Sequence, residues 1–253
     1  MHERGAYDFG SERMIAAATL NGWFLGYLAL VAALVATLLA RYLPTSASLL
    51  AIAGLGAWLT YAGVLGYLGV VGDASMRPPG PALLLVPVFL FVALFLVRSP
   101  AGERFALSFP LWIIIGAQAF RVGVELFLHQ LWLARMAPRM LTYEGGNLDI
   151  VVGLSAPVVA WLYQRGRIGE RAALAWNVLG LATLANVAFR ALLTAPGPFN
   201  FVHAEIPNVA IGAFPFTYIP GFLAPLALTL HVLAIRALRA ELRARRLAAP
   251  STS

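Results

Sequence analysis

A chain of 253 residues with 60% hydrophobic and 11% charged side chains and a mean hydropathy of +0.80 lies far from a soluble domain, where roughly a quarter of the residues are charged. Its net charge of +7 and pI near 10.4 would suit a nucleic-acid binder, but the basic residues fall between and after apolar runs rather than on one face, so no nucleic-acid partner is expected. All 18 basic residues are arginine and cysteine is absent, which excludes a retinal Schiff base, disulfides and thiolate chemistry and leaves any cofactor unassigned.

The apolar runs continue for about 17 to 29 residues, and a bilayer-spanning helix needs roughly 20. They fall at 14–40, 48–71, 81–97, 106–133, 148–164, 172–194 and 207–235. This predicts an all-α integral membrane bundle of about seven transmembrane helices, one domain over 1–253, with 236–253 as a basic cytoplasmic tail. The bilayer itself is the first partner.

The first run is too long for a signal-peptide core, and its leader MHERGAYDFGSER carries three acids against two arginines. Gly22 and Gly26 in this run, and Gly63, Gly66 and Gly69 in the second, leave grooves that let helices approach closely. In the fourth run Gln118, Arg121, Glu125 and His129 recur at spacings of three, four and four, which puts them on one helix face. Helix rise places Arg121 near mid-membrane, Glu125 a turn further out and His129 near the outer interface.

Asn147 and Asp149 open the fifth run, Asn186 and Arg190 occupy the outward half of the sixth, and Asn208 begins the seventh. Glu144, His203 and Glu205 lie in the adjoining outer loops. A charge in an apolar helix costs about 2.5–3.5 kcal/mol on insertion scales, so each needs a partner or a purpose. Arg121 and Glu125 could neutralise each other within their helix, and Arg190 could reach Asp149 or Glu125 across helices. Glu125, His129, His203 and Glu205 have spacing compatible with a cation shell, but Arg121 beside them would repel a cation, and no metal is expected. His231 is placed at the cytoplasmic end of the seventh run as a helix-end or interfacial histidine. Pro207, Pro215, Pro220 and Pro225 predict that this run is kinked or partly unwound.

FRVGVE at 120–125, LTYEGGNLDI at 141–150, SAP at 155–157, WN at 176–177, TAPGPF at 194–199, IPNVA at 206–210 and LHVLAIRAL at 230–238 resemble an uncharacterised family of small bacterial membrane proteins known only as hypothetical proteins. The resemblance runs from about residue 106 onward. It implies a bacterial membrane protein and brings no activity, fold or catalytic residue with it.

The convergence in depth predicts a polar pocket in the outer half of helices four to seven, lined by Arg121, Glu125, Asp149, Asn186, Arg190 and Asn208. His129, Glu144, Asn147, His203 and Glu205 are secondary candidates. Two guanidinium forks suit a small anionic or amphiphilic solute that the protein would bind or transport. Two other classes stand beside this one: a structural or assembly subunit whose polar residues fix helix register, and a membrane-embedded enzyme acting on a lipid-like substrate. No HExxH, GxSxG or paired-aspartate motif supports catalysis.

Seven spans divide the loop and terminal arginines eleven against five. Arg41, Arg98, Arg104, Arg165, Arg167, Arg171 and the five tail arginines face Arg4, Arg13, Arg77, Arg135 and Arg139. Basic residues concentrate in cytoplasmic loops, so the predicted setting is a bacterial inner membrane with the N-terminus outside and the tail in the cytoplasm. Reporter fusions at the two ends should read out on opposite sides, and a shared cytoplasmic signal would overturn the seven-span count.

Overall fold

A chain in hydrocarbon must satisfy its backbone N–H and C=O groups internally, and helices do so within one segment. The computed structural model describes the backbone of residues 3–248 and the side chains of residues 18–247. Among them there is no strand. The side chains of Arg4 and Arg13 and the end of the tail, residues 249–253, lie outside the described residues.

Among the described residues six helices are long and apolar enough to cross a membrane: α1 (Glu3–Tyr42, apolar over Ala18–Tyr42), α2 (Thr45–Tyr67), α3 (Gly80–Arg98), α5 (Leu111–Leu133), α7 (Glu170–Thr194) and α8 (Ile219–Leu247). Between α3 and α5 lies the short α4 (Pro100–Leu107), and between α5 and α7 the 16-residue α6 (Asp149–Gln164). With α6 the chain traverses the bundle seven times. One face, the loop face, carries the α2–α3, α5–α6 and α7–α8 connections, and the opposite tail face carries the other connections and the end of α8.

The helices depart most from the predicted runs at two places. Ser99 caps the start of α4 by accepting from Gly102 N–H at 2.9 Å, and Pro110 restarts the chain, so residues 100–107 form a separate short helix and the fourth crossing begins at Leu111. The seventh crossing begins at Ile219 rather than 207. Residues 207–218 fold over the loop face, where Ala210 N–H donates to Met136 O at 3.3 Å and Phe214 N–H to Gly66 O at 3.3 Å. Pro220 then lies in a π-helical turn, Ile219–Leu223, that opens α8. Helix α6 keeps the bounds of its predicted run to within a residue, and its depth follows from its glycines.

A Cβ on Gly153 would stand 2.9 Å from Val122 N, and one on Gly116 would stand 3.3 Å from the Ala160 Cβ. These two close approaches fix the antiparallel register of α5 and α6 and put Asp149 level with residues 126–127. By helix rise α6 therefore starts about 10 Å short of the α5 end at Leu133. The connection 134–148 turns back into the bundle to fill that gap, with Ala137, Leu141, Thr142 and Asn147 fully buried.

Helix α8 is the hub. Half of its apolar window is buried, against 17% for α2. One apolar cluster at the loop face joins Phe24, Leu28, Leu128, Leu131, Leu141, Phe216 and Phe222, with Phe24 packed edge-on to Phe127 at 5.2 Å. A second at the tail face joins Leu96, Ile114, Ile115, Ala160, Leu233 and Leu238. At that face Arg236 bonds Leu96 O, Ser99 O at 3.0 Å and Glu103 at 2.9 Å, Tyr163 donates to Glu241 at 2.8 Å, and Arg245 pairs with Glu170. The basic end of α8 is thus tied to α3, α4, α6 and α7.

Gly153→Val forces two methyl groups into the backbone of α5. It should destabilise the protein by about 1–3 kcal/mol, the usual cost of overpacking, read as a lower unfolding midpoint in detergent. Gly22→Val, at a position with open space around it, is the matched control and should leave the midpoint in place.

Candidate functional site

Between the two apolar clusters lies a layer of polar side chains contributed by α5, the 134–148 connection, α6, α7 and α8. Arg121, at the end of a 3-10 turn (Gln118–Phe120) in α5, is 2% exposed. A guanidinium at that depth needs acceptors from other elements, since its own helix offers only carbonyls already bonded along the axis. It finds three. Its Nη2 forms an ion pair with Asp149 Oδ1 and lies 3.4 Å from Thr183 Oγ1, and its Nη1 lies 2.9 Å from His231 Nε2.

Arginine can only donate, so His231 Nε2 must accept and the imidazole proton resides on Nδ1. Nδ1 lies 2.9 Å from Asn177 Oδ1, an acceptor, and Asn177 Nδ2 donates in turn to Ala173 O at 2.9 Å. The donors and acceptors therefore agree along the whole row. A Cβ on Gly180 would stand 2.3 Å from His231 Cε1. Only glycine leaves the space in which the ring lies.

Glu125, one turn from Arg121, takes a different partner. Asn147 Nδ2 lies 2.8 Å from each of its carboxylate oxygens and 2.9 Å from Leu141 O. Asn147 Oδ1 accepts from Asp149 N–H at 3.0 Å, capping the buried start of α6. Gln118 Nε2 donates to Ala227 O at 3.1 Å, while Gln118 Oε1 and Arg121 Nε are buried without a hydrogen-bond partner.

The structure thus brings Arg121, Asp149, Glu125 and Asn147 into one layer. In-helix neutralisation of Arg121 by Glu125 is replaced by the Asp149 and Asn147 contacts, because the 134–148 connection carries these groups down to the same depth. Arg190 pairs with neither acid. Its Nε donates to Asn186 Oδ1 at 3.0 Å, and its Nη1 to Met140 O at 3.1 Å and Gly145 O at 2.7 Å, which clamps that connection onto α7. His231 is not a helix-end histidine. It is fully buried, because α8 starts at Ile219 and puts residue 231 about 18 Å inside the helix by its rise.

The secondary candidates other than Asn147 lie at the loop face. His129 stacks on Tyr143 with ring centres 4.8 Å apart, and its Nδ1 lies 3.8 Å from Glu144, which is also 3.8 Å from Arg139 Nη2. Glu205 accepts from Arg139 N–H at 2.6 Å, and His203 is exposed. Among the described residues no group of three or more His, Asp or Glu is placed to hold a metal ion.

Asn208 stands apart from the layer. It is 2% exposed, its Nδ2 donates to Ala191 O at 3.1 Å and Thr194 Oγ1 at 3.2 Å, and its Oδ1 is buried without a partner. It is the one polar side chain in the wall of a cavity of about 130 Å³. Leu128, Leu141, Val187, Ala191, Ile211 and Ile219 form the apolar wall, and the exposed Gly72 and Ala188 bring the cavity to the surface.

Long apolar helices around a buried polar layer define a polytopic α-helical membrane protein. Residues 78–239 match the family described as a domain of unknown function, DUF8737, and the chain belongs to that family. The matched stretch contains every residue of the polar layer and the cavity wall except Val71 and Gly72. No curated protein and no solved structure matches the chain.

Sequence reasoning missed His231 as a partner of Arg121, along with Asn177 and Thr183. Arg121 and His231 are 110 residues apart, and no local spacing connects them. The available signal was the number of acceptors a buried guanidinium needs. Asp149→Ala should therefore cost about 3–5 kcal/mol by leaving Arg121 buried without its counter-ion. Adding Arg121→Met to Asp149→Leu should recover part of that loss. Unfolding midpoints in detergent check both, and equal midpoints for Asp149→Ala and the parent protein would show that Arg121 has no need of the pair.

Proposed function

We propose that this chain binds a small amphiphilic solute, its apolar body in the cavity between α7, α8 and the 207–220 segment and its hydrogen-bond donor on Asn208 Oδ1. The supporting observation is that Asn208, whose carbonyl oxygen is buried without a partner, is the one polar residue lining an otherwise apolar cavity. A buried acceptor left unsatisfied costs about 1–3 kcal/mol, and a hydroxyl, amide or protonated acid would relieve that cost. Apolar cavities of about 150 Å³ take up benzene, so a body of about six carbons suits this one. Arginine forks point to an anion in the sequence, but both guanidiniums are committed to protein acceptors, and this favours an uncharged polar head. In this reading Asn208 contacts the ligand, while Arg190 and Asn186 hold the connection that carries Leu141 into the wall. The setting is a bacterial inner membrane with the cavity in the outer leaflet.

The pairing of Arg121 with Asp149 and of Glu125 with Asn147 favours a second, structural reading for the polar layer alone, as the device that fixes helix register. It leaves the cavity as the solute site.

A six-carbon alcohol carrying a diazirine, cross-linked in proteoliposomes, should label residues 187–196 and 208–224. Ala191→Phe, which fills the cavity, should abolish that labelling. Asn208→Ala should weaken capture of the alcohol severalfold but spare a hydroxyl-free probe of the same length. Labelling spread over the lipid-facing surfaces of α1 and α2 and unchanged by Ala191→Phe would overturn the proposal. Uptake of the same alcohol, lost in Ala191→Phe, would distinguish a carrier from a receptor.

A further inference from the structure

The tail face carries a feature that the polar layer and the cavity leave unused. Helix α6 ends in a reversal: Gly166 adopts φ +64° and donates to Tyr163 O at 2.9 Å, and Arg167 N–H donates to Leu162 O at 2.9 Å. This pairing of bonds across a left-handed glycine is a Schellman ending, which fixes the two residues flanking the glycine relative to the last turn. Both are arginines. The Arg165 guanidinium stands 5.8 Å, and that of Arg167 5.2 Å, from the centre of the same Trp161 ring.

Two like charges on one indole repel each other, and both arginines are exposed. Cation–π attraction to the ring holds each in place but does not neutralise either. Neither forms an ion pair with an acid among the described residues. Glu170, the acid that follows in the sequence, is occupied by Arg245. Below the pair, Val151, Leu154, Val158 and Trp161 recur at spacings of three and four along α6, and all four are exposed. They form a lipid-facing apolar stripe that leads up to the two guanidiniums.

We infer that Arg165, Arg167 and Trp161 form a binding site for the phosphate of an anionic phospholipid, with an acyl chain of that lipid lying along the α6 stripe. Arginine offers paired donors to phosphate oxygens, and tryptophan sits at the headgroup level of membranes, so the pair is at the depth where a lipid phosphate would be. Two uncompensated positive charges favour a net-negative lipid over a zwitterionic one. The site lies at the opposite face from the Asn208 cavity and stands whether or not that cavity binds a solute.

The test titrates phosphatidylglycerol with brominated acyl chains into the purified protein in phosphatidylcholine nanodiscs and follows tryptophan quenching. A saturable component should be present in the parent protein, absent in Trp161→Phe, and shifted to roughly tenfold higher lipid fraction in Arg165→Gln/Arg167→Gln. Arg98→Gln, which removes an exposed arginine elsewhere on the same face, should leave it unchanged. Three results would overturn the inference. These are equal quenching by brominated phosphatidylcholine, an equal shift in Arg98→Gln, and full displacement of the lipid by millimolar inorganic phosphate, which would assign the site to a free anion.

Discussion

One guanidinium sets the terms for the interior. Arg121 cannot lose its charge and is buried, so the bundle has to bring acceptors to it from three other helices. Asp149 arrives because α6 starts well below the loop face, Thr183 because α7 passes alongside, and His231 because Gly180 lets an imidazole press against α7. Each acceptor then imposes its own requirement. The start of α6 needs a cap for Asp149 N–H and receives it from Asn147, whose amide nitrogen also meets Glu125. His231 needs an acceptor on its far nitrogen and finds Asn177. The polar layer is therefore a chain of obligations that starts from a single residue.

The two halves of the molecule divide the remaining tasks. Among the described residues, helices α1 and α2 present mostly apolar surface, with Trp23, Leu30, Leu50 and Tyr67 exposed, and the side chains bonded to Arg121, Glu125 and His231 come from other elements. Their glycines serve the loop face instead: a Cβ on Gly66 would stand 2.7 Å from Thr217, and one on Gly63 2.3 Å from the Tyr218 hydroxyl. The segment just before α8 is seated directly on α2, which lets residues 207–218 lie as a lid over one side of the cavity.

Composition and run length made the membrane class, the helical fold and the order of the crossings legible, since each depends on residues close together in sequence. The stripe Gln118–Arg121–Glu125 was legible for the same reason, and the structure buries all three. Boundaries set by contacts were not. Hydropathy runs on through 207–218, where the backbone makes short turns and bonds to Met136 and Gly66 instead of continuing a helix, and that displacement hid the depth of His231. Partner choice was equally opaque: Arg190 looks like a charge seeking a carboxylate, yet carbonyl oxygens of a turned-in loop satisfy it. Such a loop leaves no mark in composition, because Leu141 and Ala137 read as ordinary apolar residues.

The short α6 also bears on how the chain enters the membrane. At 16 residues it spans about 24 Å of the roughly 30 Å hydrocarbon layer and brings a carboxylate with it, which makes it a poor candidate for insertion by itself. Its neighbour α5 has the converse defect, an arginine near its middle. Synthesis delivers the two in succession, so they can leave the translocation channel together as a hairpin in which each cancels the other's charge. His231 and its carrier helix are made after both. For Arg121 the hairpin is thus a provisional pairing, which α8 converts into a completed coordination shell, and a chain halted before α8 would hold a hairpin still lacking one acceptor.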